Sequence, residues 1–173
     1  MKRLCIVCCS FLGLLSCTTG QMKKTVRKGE PTIYSVEGTD VEMNKAIARA
    51  HSTLDQFIVA LQSNHYDTST FALKVRFPTS KGAEHIWATS ITYEDGNFYG
   101  IIDNLPELVT QVKQGERVRI EKDDISDWMY ADKKALRGGY TIRLFRSRMS
   151  TNERVKFDAQ FPYKIQDAPT SNF

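Results

Sequence analysis

Apolar residues follow three different patterns along this chain. Residues 4–15, LCIVCCSFLGLL, are almost continuously apolar. Met43, Ile47, Ala50, Leu54, Phe57 and Leu61 then recur at alternating steps of four and three, the spacing of one helix face. From Phe71 the step becomes two. Phe71, Leu73, Val75 and Phe77 alternate with Ala72, Lys74 and Arg76, as in a strand buried on one side.

Punctuation residues place the elements. Thr39 and Asp40 offer N-caps and Asn64 a stop, which predicts a helix over about 40–63. PTSKG (78–82) predicts a turn. The runs 84–93 and 98–104 flank Asp95-Gly96, and Asp-Gly between two such runs predicts a hairpin. VKQGERVRI (112–120) predicts a turn followed by a strand. WMYA (128–131) and YTIRLF (140–145) predict a last strand pair around the turn DKK, with Gly138-Gly139 allowing a bulge. Ser150 to Glu153 spells a capping box, so a short helix should cover about 151–158. The fold class expected is α+β: a long N-terminal helix packed by its stripe on a curved antiparallel sheet of five or six strands. An SH3-like small barrel is the closed form of that pattern.

The first apolar run addresses the protein rather than folding it. An apolar run of twelve residues behind Lys2-Arg3 falls short of the roughly 20 that a membrane span needs, so residues 1–16 read as a signal peptide. Leu14-Leu15-Ser16-Cys17 resembles the lipobox of bacterial lipoproteins, which implies cleavage before Cys17 and acylation of that residue, as by palmitate. An ordinary signal peptide cut near Gly20 is the alternative. The four cysteines, Cys5, Cys8, Cys9 and Cys17, all lie in this leader, so the domain must be stabilised by packing rather than disulfides. Residues 17–38 then form the lipid anchor and a flexible tether, with an r.m.s. reach of roughly 25 Å. Residues 39–160 form the domain, and 161–173 a loose tail. Thr18 in place of Asp points to an outer-membrane lipoprotein facing the periplasm, with the inner membrane or cell surface as alternatives.

Charge adds an exclusion. Twenty-four basic against 20 acidic residues give +4, and removal of the leader lowers even that. This is no nucleic-acid footprint. The expected partners are the membrane, through the anchor, and an envelope protein or peptide.

The stretch Ala83-Glu84-His85-Ile86-Trp87 raises the question of a site. Neighbouring strand residues face opposite ways, so Glu84 and His85 cannot pair, whereas His85 and Trp87 share a face. An uninterrupted hairpin at Asp95-Gly96 would pair Tyr93 with Phe98, Ile91 with Gly100, Thr89 with Ile102 and Trp87 with Asn104, all on the core face. His85, Trp87 and Asn104 would then rim a pocket that takes a small polar ligand or a peptide. The structural alternative is a histidine that closes the end of the core. In DDISDWMY (123–130), Asp127 caps a helical turn over Trp128 in our reading; Ile125 interrupts the run, and no calcium-loop frame exists. No Gly-x-Ser-x-Gly, cysteine after position 17, phosphate loop or metal-ligand histidine spacing is present, so no cofactor and no metal are expected.

KVRFP (74–78), EHIW (84–87), G-x-x-D-N (100–104), GERVRI (115–120), ISDWMY (125–130) and GGYTIR (138–143) together resemble the YegJ-like family of bacterial domains of unknown function. The similarity runs from about residue 42 to about 158. It implies a stand-alone α+β domain, sometimes behind a lipoprotein leader, and brings no activity or cofactor. Its blocks converge on His85, Trp87, Asp103, Asn104, Asp127 and Trp128. The leading functional expectation is a membrane-anchored binding module with candidate binding residues His85, Trp87, Asn104, Asp127 and Trp128. The alternatives are a hydrolase using His85 as general base with Asp103 or Asp127, and an envelope immunity-type inhibitor. The hairpin register argues against Asp103, which it turns to the opposite face.

Overall fold

The computed structural model describes residues 23–25, 33–35, 40–80 and 82–166. The lipobox and Cys17 lie outside the described residues. Within the segment read as a tether, strands β1 (Lys23–Thr25) and β2 (Ile33–Ser35) pair antiparallel, Lys23 opposite Ser35. Thr25, Ile33 and Tyr34 are β-branched or aromatic residues that favour extended backbone.

The helical stripe folds as two helices rather than one. Helix α1 (Val41–Ser52) starts at Asp40, whose carboxylate accepts from the Met43 N–H at 3.0 Å. Helix α2 (Leu54–Gln62) follows after a break at Thr53. The break has a tertiary cause. The Trp128 indole N–H donates to the Ala50 carbonyl at 3.0 Å, and the Thr53 hydroxyl donates back to Arg49 O at 2.7 Å. Side chains inserted into the i→i−4 ladder interrupt it.

A six-stranded antiparallel sheet follows, in the order β6-β5-β4-β3-β7-β8. Its strands are β3 (Ala72–Thr79), β4 (Gly82–Glu94), β5 (Asn97–Ile102), β6 (Arg117–Ile120), β7 (Ile125–Asp132) and β8 (Ala135–Gly138). The sheet is open, with β6 and β8 at its edges, so the closed-barrel variant does not form. One face packs under α1 and α2. Phe57 of α2 meets Phe71 at 5.3 Å, Phe98 at 6.1 Å and Trp128 at 5.7 Å between ring centroids. Leu73, Val75, Ala88, Ile91 and Ile120 complete this core.

The β4–β5 hairpin reverses at Asp95-Gly96 as expected, with φ of 50° and 80° at the two turn residues. Its register is not the uninterrupted one. Tyr93 opposes Phe98 and Thr92 opposes Tyr99, but Thr89 opposes Ile101 and Ala88 opposes Ile102. Ser90, in the left-handed region with φ 51°, makes the bulge that absorbs the extra residue. A one-residue slip moves every preceding side chain to the other face. Ile86 and Ala88 are therefore buried in the core, and His85 and Trp87 turn away from α1 and α2. The expected core-side position of His85 and Trp87 is corrected accordingly. A Cβ at Gly100 would lie 2.6 Å from Ile91 Cδ1, so the glycine makes room for the bulged strand.

The last predicted strand, YTIRLF, is helix α3 (Tyr140–Ser147). β7 pairs with β8 instead, around a turn with Lys133 and Lys134 at φ 48° and 70°. Gly138 and Gly139, at φ 67° and 64°, lead the chain out of the sheet. The capping box holds: Ser150 and Glu153 bond reciprocally at the start of α4 (Thr151–Gln160). The chain after Pro162 is tied down as far as Gln166. The Leu136 N–H donates to Lys164 O at 2.9 Å, the Lys164 N–H to Lys134 O at 2.7 Å, and Arg143 donates to Gln166 O.

Candidate functional site

Each residue of Glu84–Trp87 has a separate task. Glu84 accepts from three successive backbone N–H groups, those of Glu107 and Leu108 at 2.8 Å and Val109 at 2.9 Å. It latches the long β5–β6 connection, and Val109 is inserted against Ile86 and Ile102. Trp87 bonds through its backbone: its N–H donates to Asn104 Oδ1 at 3.1 Å and its carbonyl accepts from the Asp103 N–H at 2.9 Å. Asn104 thus spends its amide oxygen on ending the hairpin.

His85 reaches across the adjacent strand. Its Nδ1 lies 2.8 Å from the hydroxyl of Ser126, which is buried, and Ser126 Oγ lies 3.1 Å from the Lys74 carbonyl. The residue as a whole is exposed, and so is Arg76, its cross-strand partner. Desolvation on the Ser126 side, reinforced by the Lys74 and Arg76 cations, lowers the imidazole from its ordinary 6.5 to about 4. His85 is neutral at pH 7.

One row along, Trp87, Lys74 and Asp127 lie side by side on β4, β3 and β7. Lys74 Nζ sits 3.5 Å from Thr141 Oγ1, 5.7 Å from the centre of the Trp87 ring and 5.6 Å from that of Phe145. Asp127 is fully buried. It accepts from the N–H groups of Trp128 at 2.8 Å, Tyr140 at 3.1 Å and Thr141 at 2.8 Å, and from the Thr141 hydroxyl at 2.6 Å. Gly139 has no side chain with which to cap α3, and Asp127 does so from another strand. The Thr141 hydroxyl links the two charges. Burial raises the Asp127 carboxyl, opposed by Thr141 and Lys74; burial lowers Lys74, opposed by Asp127. Four donors and a nearby cation offset the several kcal/mol of desolvation that a buried carboxylate incurs.

Trp128 is on the other face, 2 % exposed, with its indole spent on Ala50. The structure therefore brings His85 and Trp87 together on the outer face, sets Asp127 beneath that face as a cap, and removes Trp128 to the core. Asp127 caps α3; the helical turn expected over Trp128 does not form, because Trp128 lies within strand β7. Lys74, Ser126, Thr141 and Glu84 were not singled out as site residues from the sequence. A lysine between the apolar Leu73 and Val75 was the one signal for the first; Ser126 and Thr141 become visible only when β3, β4, β7 and α3 are brought together, and Glu84 only when the β5–β6 connection is laid against β4. Among the described residues, no three His, Cys, Asp or Glu side chains are grouped as metal ligands would be, and no helix is long and apolar enough to cross a membrane.

A six-stranded open antiparallel sheet, with two helices on one face and a helix capped by a β7 aspartate, defines the class: a small α+β domain. Residues 40–163 match the model of the family described as an uncharacterized protein conserved in bacteria (DUF2314), and the chain belongs to that family. It is 43% identical over 100 residues to the uncharacterized protein YegJ of Escherichia coli, covering 58% of this chain and 64% of that one. It is 35% identical over 147 residues to a putative ankyrin repeat protein of Neisseria meningitidis serogroup B, covering 80% of this chain and 58% of that one. The chain thus spans less than two thirds of the length of either relative. No solved structure matches it.

Proposed function

We propose that this protein is a lipoprotein anchored through Cys17 in the cell envelope, and that its domain is a binding module for an envelope protein or peptide. The observation that carries the binding reading is the asymmetry of the sheet. The inner face lies under α1 and α2, whereas the outer face around β4 keeps His85 and Arg76 exposed and Trp87, Tyr99 and Ile101 half-buried. Half-buried aromatics beside a cation are what recognition surfaces use as anchors. A hydrolase has less support, because the Asp127 oxygens are taken up by the start of α3 and the His85 partner is Ser126.

Pull-down from envelope extracts with the wild type and with His85→Ala tests the module. Partners captured by the wild type and lost from the variant support it; identical partner sets reject this face. For the anchor, Cys17→Ser releases the protein from membranes, and undiminished membrane association contradicts lipidation.

A further inference from the structure

The Ser126 hydroxyl has one proton and two neighbours. The Lys74 carbonyl can only accept, so Ser126 donates to it, and the remaining neighbour must donate to Ser126. His85 therefore carries its proton on Nδ1. A neutral imidazole then has an unprotonated Nε2, for which the described residues supply no hydrogen-bond partner, on a residue that is exposed as a whole. Arg76 stands beside it as the cross-strand neighbour, also exposed, and among the described residues no acidic side chain pairs with it. Trp87 is the next residue of β4 on the same face.

An acceptor next to a guanidinium selects its ligand. A bare anion reaching both groups would set its lone pairs against that of Nε2. A cation would be repelled by Arg76 and Lys74. A ligand that satisfies both carries a carboxylate with an N–H donor one atom away. Resting on the binding-module reading, we propose that His85, Arg76 and Trp87 form a recognition site for an α-acylamino carboxylate, the group that ends a peptide chain. Arg76 takes the carboxylate through its forked donors, His85 Nε2 accepts the terminal amide N–H, and Trp87 receives the terminal side chain.

The test uses the ¹⁵N-labelled full chain in detergent. Its histidine ring nitrogens are observed by NMR during titration with N-acetyl-alanyl-alanine, the same dipeptide as its C-terminal amide, and acetate. The expected free-protein spectrum shows His85 protonated at Nδ1 and bare at Nε2, and Ser126→Ala mixes the two tautomers. The free acid should shift Nε2 and the Trp87 indole saturably at millimolar concentration. The amide and acetate should bind at least about tenfold more weakly, as should the free acid to Arg76→Gln. A proton on Nε2, no saturable shift, or equal binding of acid and amide would overturn the proposal. If His85-dependent partners are still captured from extracts while the free acid does not bind, C-terminal recognition falls and the binding module stands. If neither is seen, both fall.

Discussion

Two hydrogen-bonded nodes lie close together on one sheet and differ in what they leave over. Around Asp127 nothing is left: the carboxylate is sealed, four protein donors fill it, and Lys74 balances its charge through Thr141. Around His85 one ring nitrogen is held inside and the other is not. The first arrangement fixes α3 to the sheet and has no capacity for a ligand. The second orients a side chain at the surface while keeping an acceptor available. Motif blocks alone do not separate the two, since ISDWMY and EHIW look equally promising as sequence.

The comparison can be broken by substitution. Asp127→Ala should cost the most, about 3–5 kcal/mol of unfolding free energy, because it strands the first N–H groups of α3 and leaves Lys74 without its counter-charge. Denaturant titration checks this, and a loss below about 1 kcal/mol would mean the node is not structural. Gly100→Ala should cost about 1–3 kcal/mol by forcing a methyl against Ile91. A neutral outcome there would argue against the bulge that sets the His85 face.

Acid should separate two contributions. Hydrogen bonding from Arg148, offset in part by burial, holds Asp40 at about 2 against an ordinary 3.8. Between those values the unfolded chain binds more protons than the folded one, so the contribution is complete above pH 4 and is lost as pH falls toward 2. His85, lowered from 6.5 to about 4, has the same sign: neutral imidazole is favoured in the fold, and its contribution is lost as pH falls from 6.5 to 4. Stability should therefore fall in both windows. His85→Ala should flatten the upper one and Asp40→Asn the lower, and an upper window unchanged in His85→Ala would contradict the assignment. The smallest stability effect is that of His85→Ala at neutral pH, about 0.5–1 kcal/mol, since Ser126 keeps its bond to Lys74. A loss comparable to that of Asp127→Ala would make His85 structural.

The legible parts of the fold were those whose cause is local. The stripe from Met43 to Leu61, the Asp95-Gly96 turn and the Ser150–Glu153 box each depend on neighbours in sequence, and each formed. The misread parts depend on distant groups. The helix breaks at Thr53 because the Trp128 indole takes the Ala50 carbonyl, and YTIRLF is helical because Asp127 caps it from another strand. The bulge at Ser90 carries no glycine to announce it, yet it decides which face His85 and Trp87 occupy. The pairing of those two residues on one face was readable from strand period alone. The side of the sheet on which they stand was not.

That side can be measured directly from nuclear Overhauser contacts of the Trp87 indole in the full chain. Contacts from the indole to the Lys74 side chain, with none to Phe57, are the result this account predicts. Contacts from Trp87 to Phe57 would return it to the helix-covered face and contradict the account.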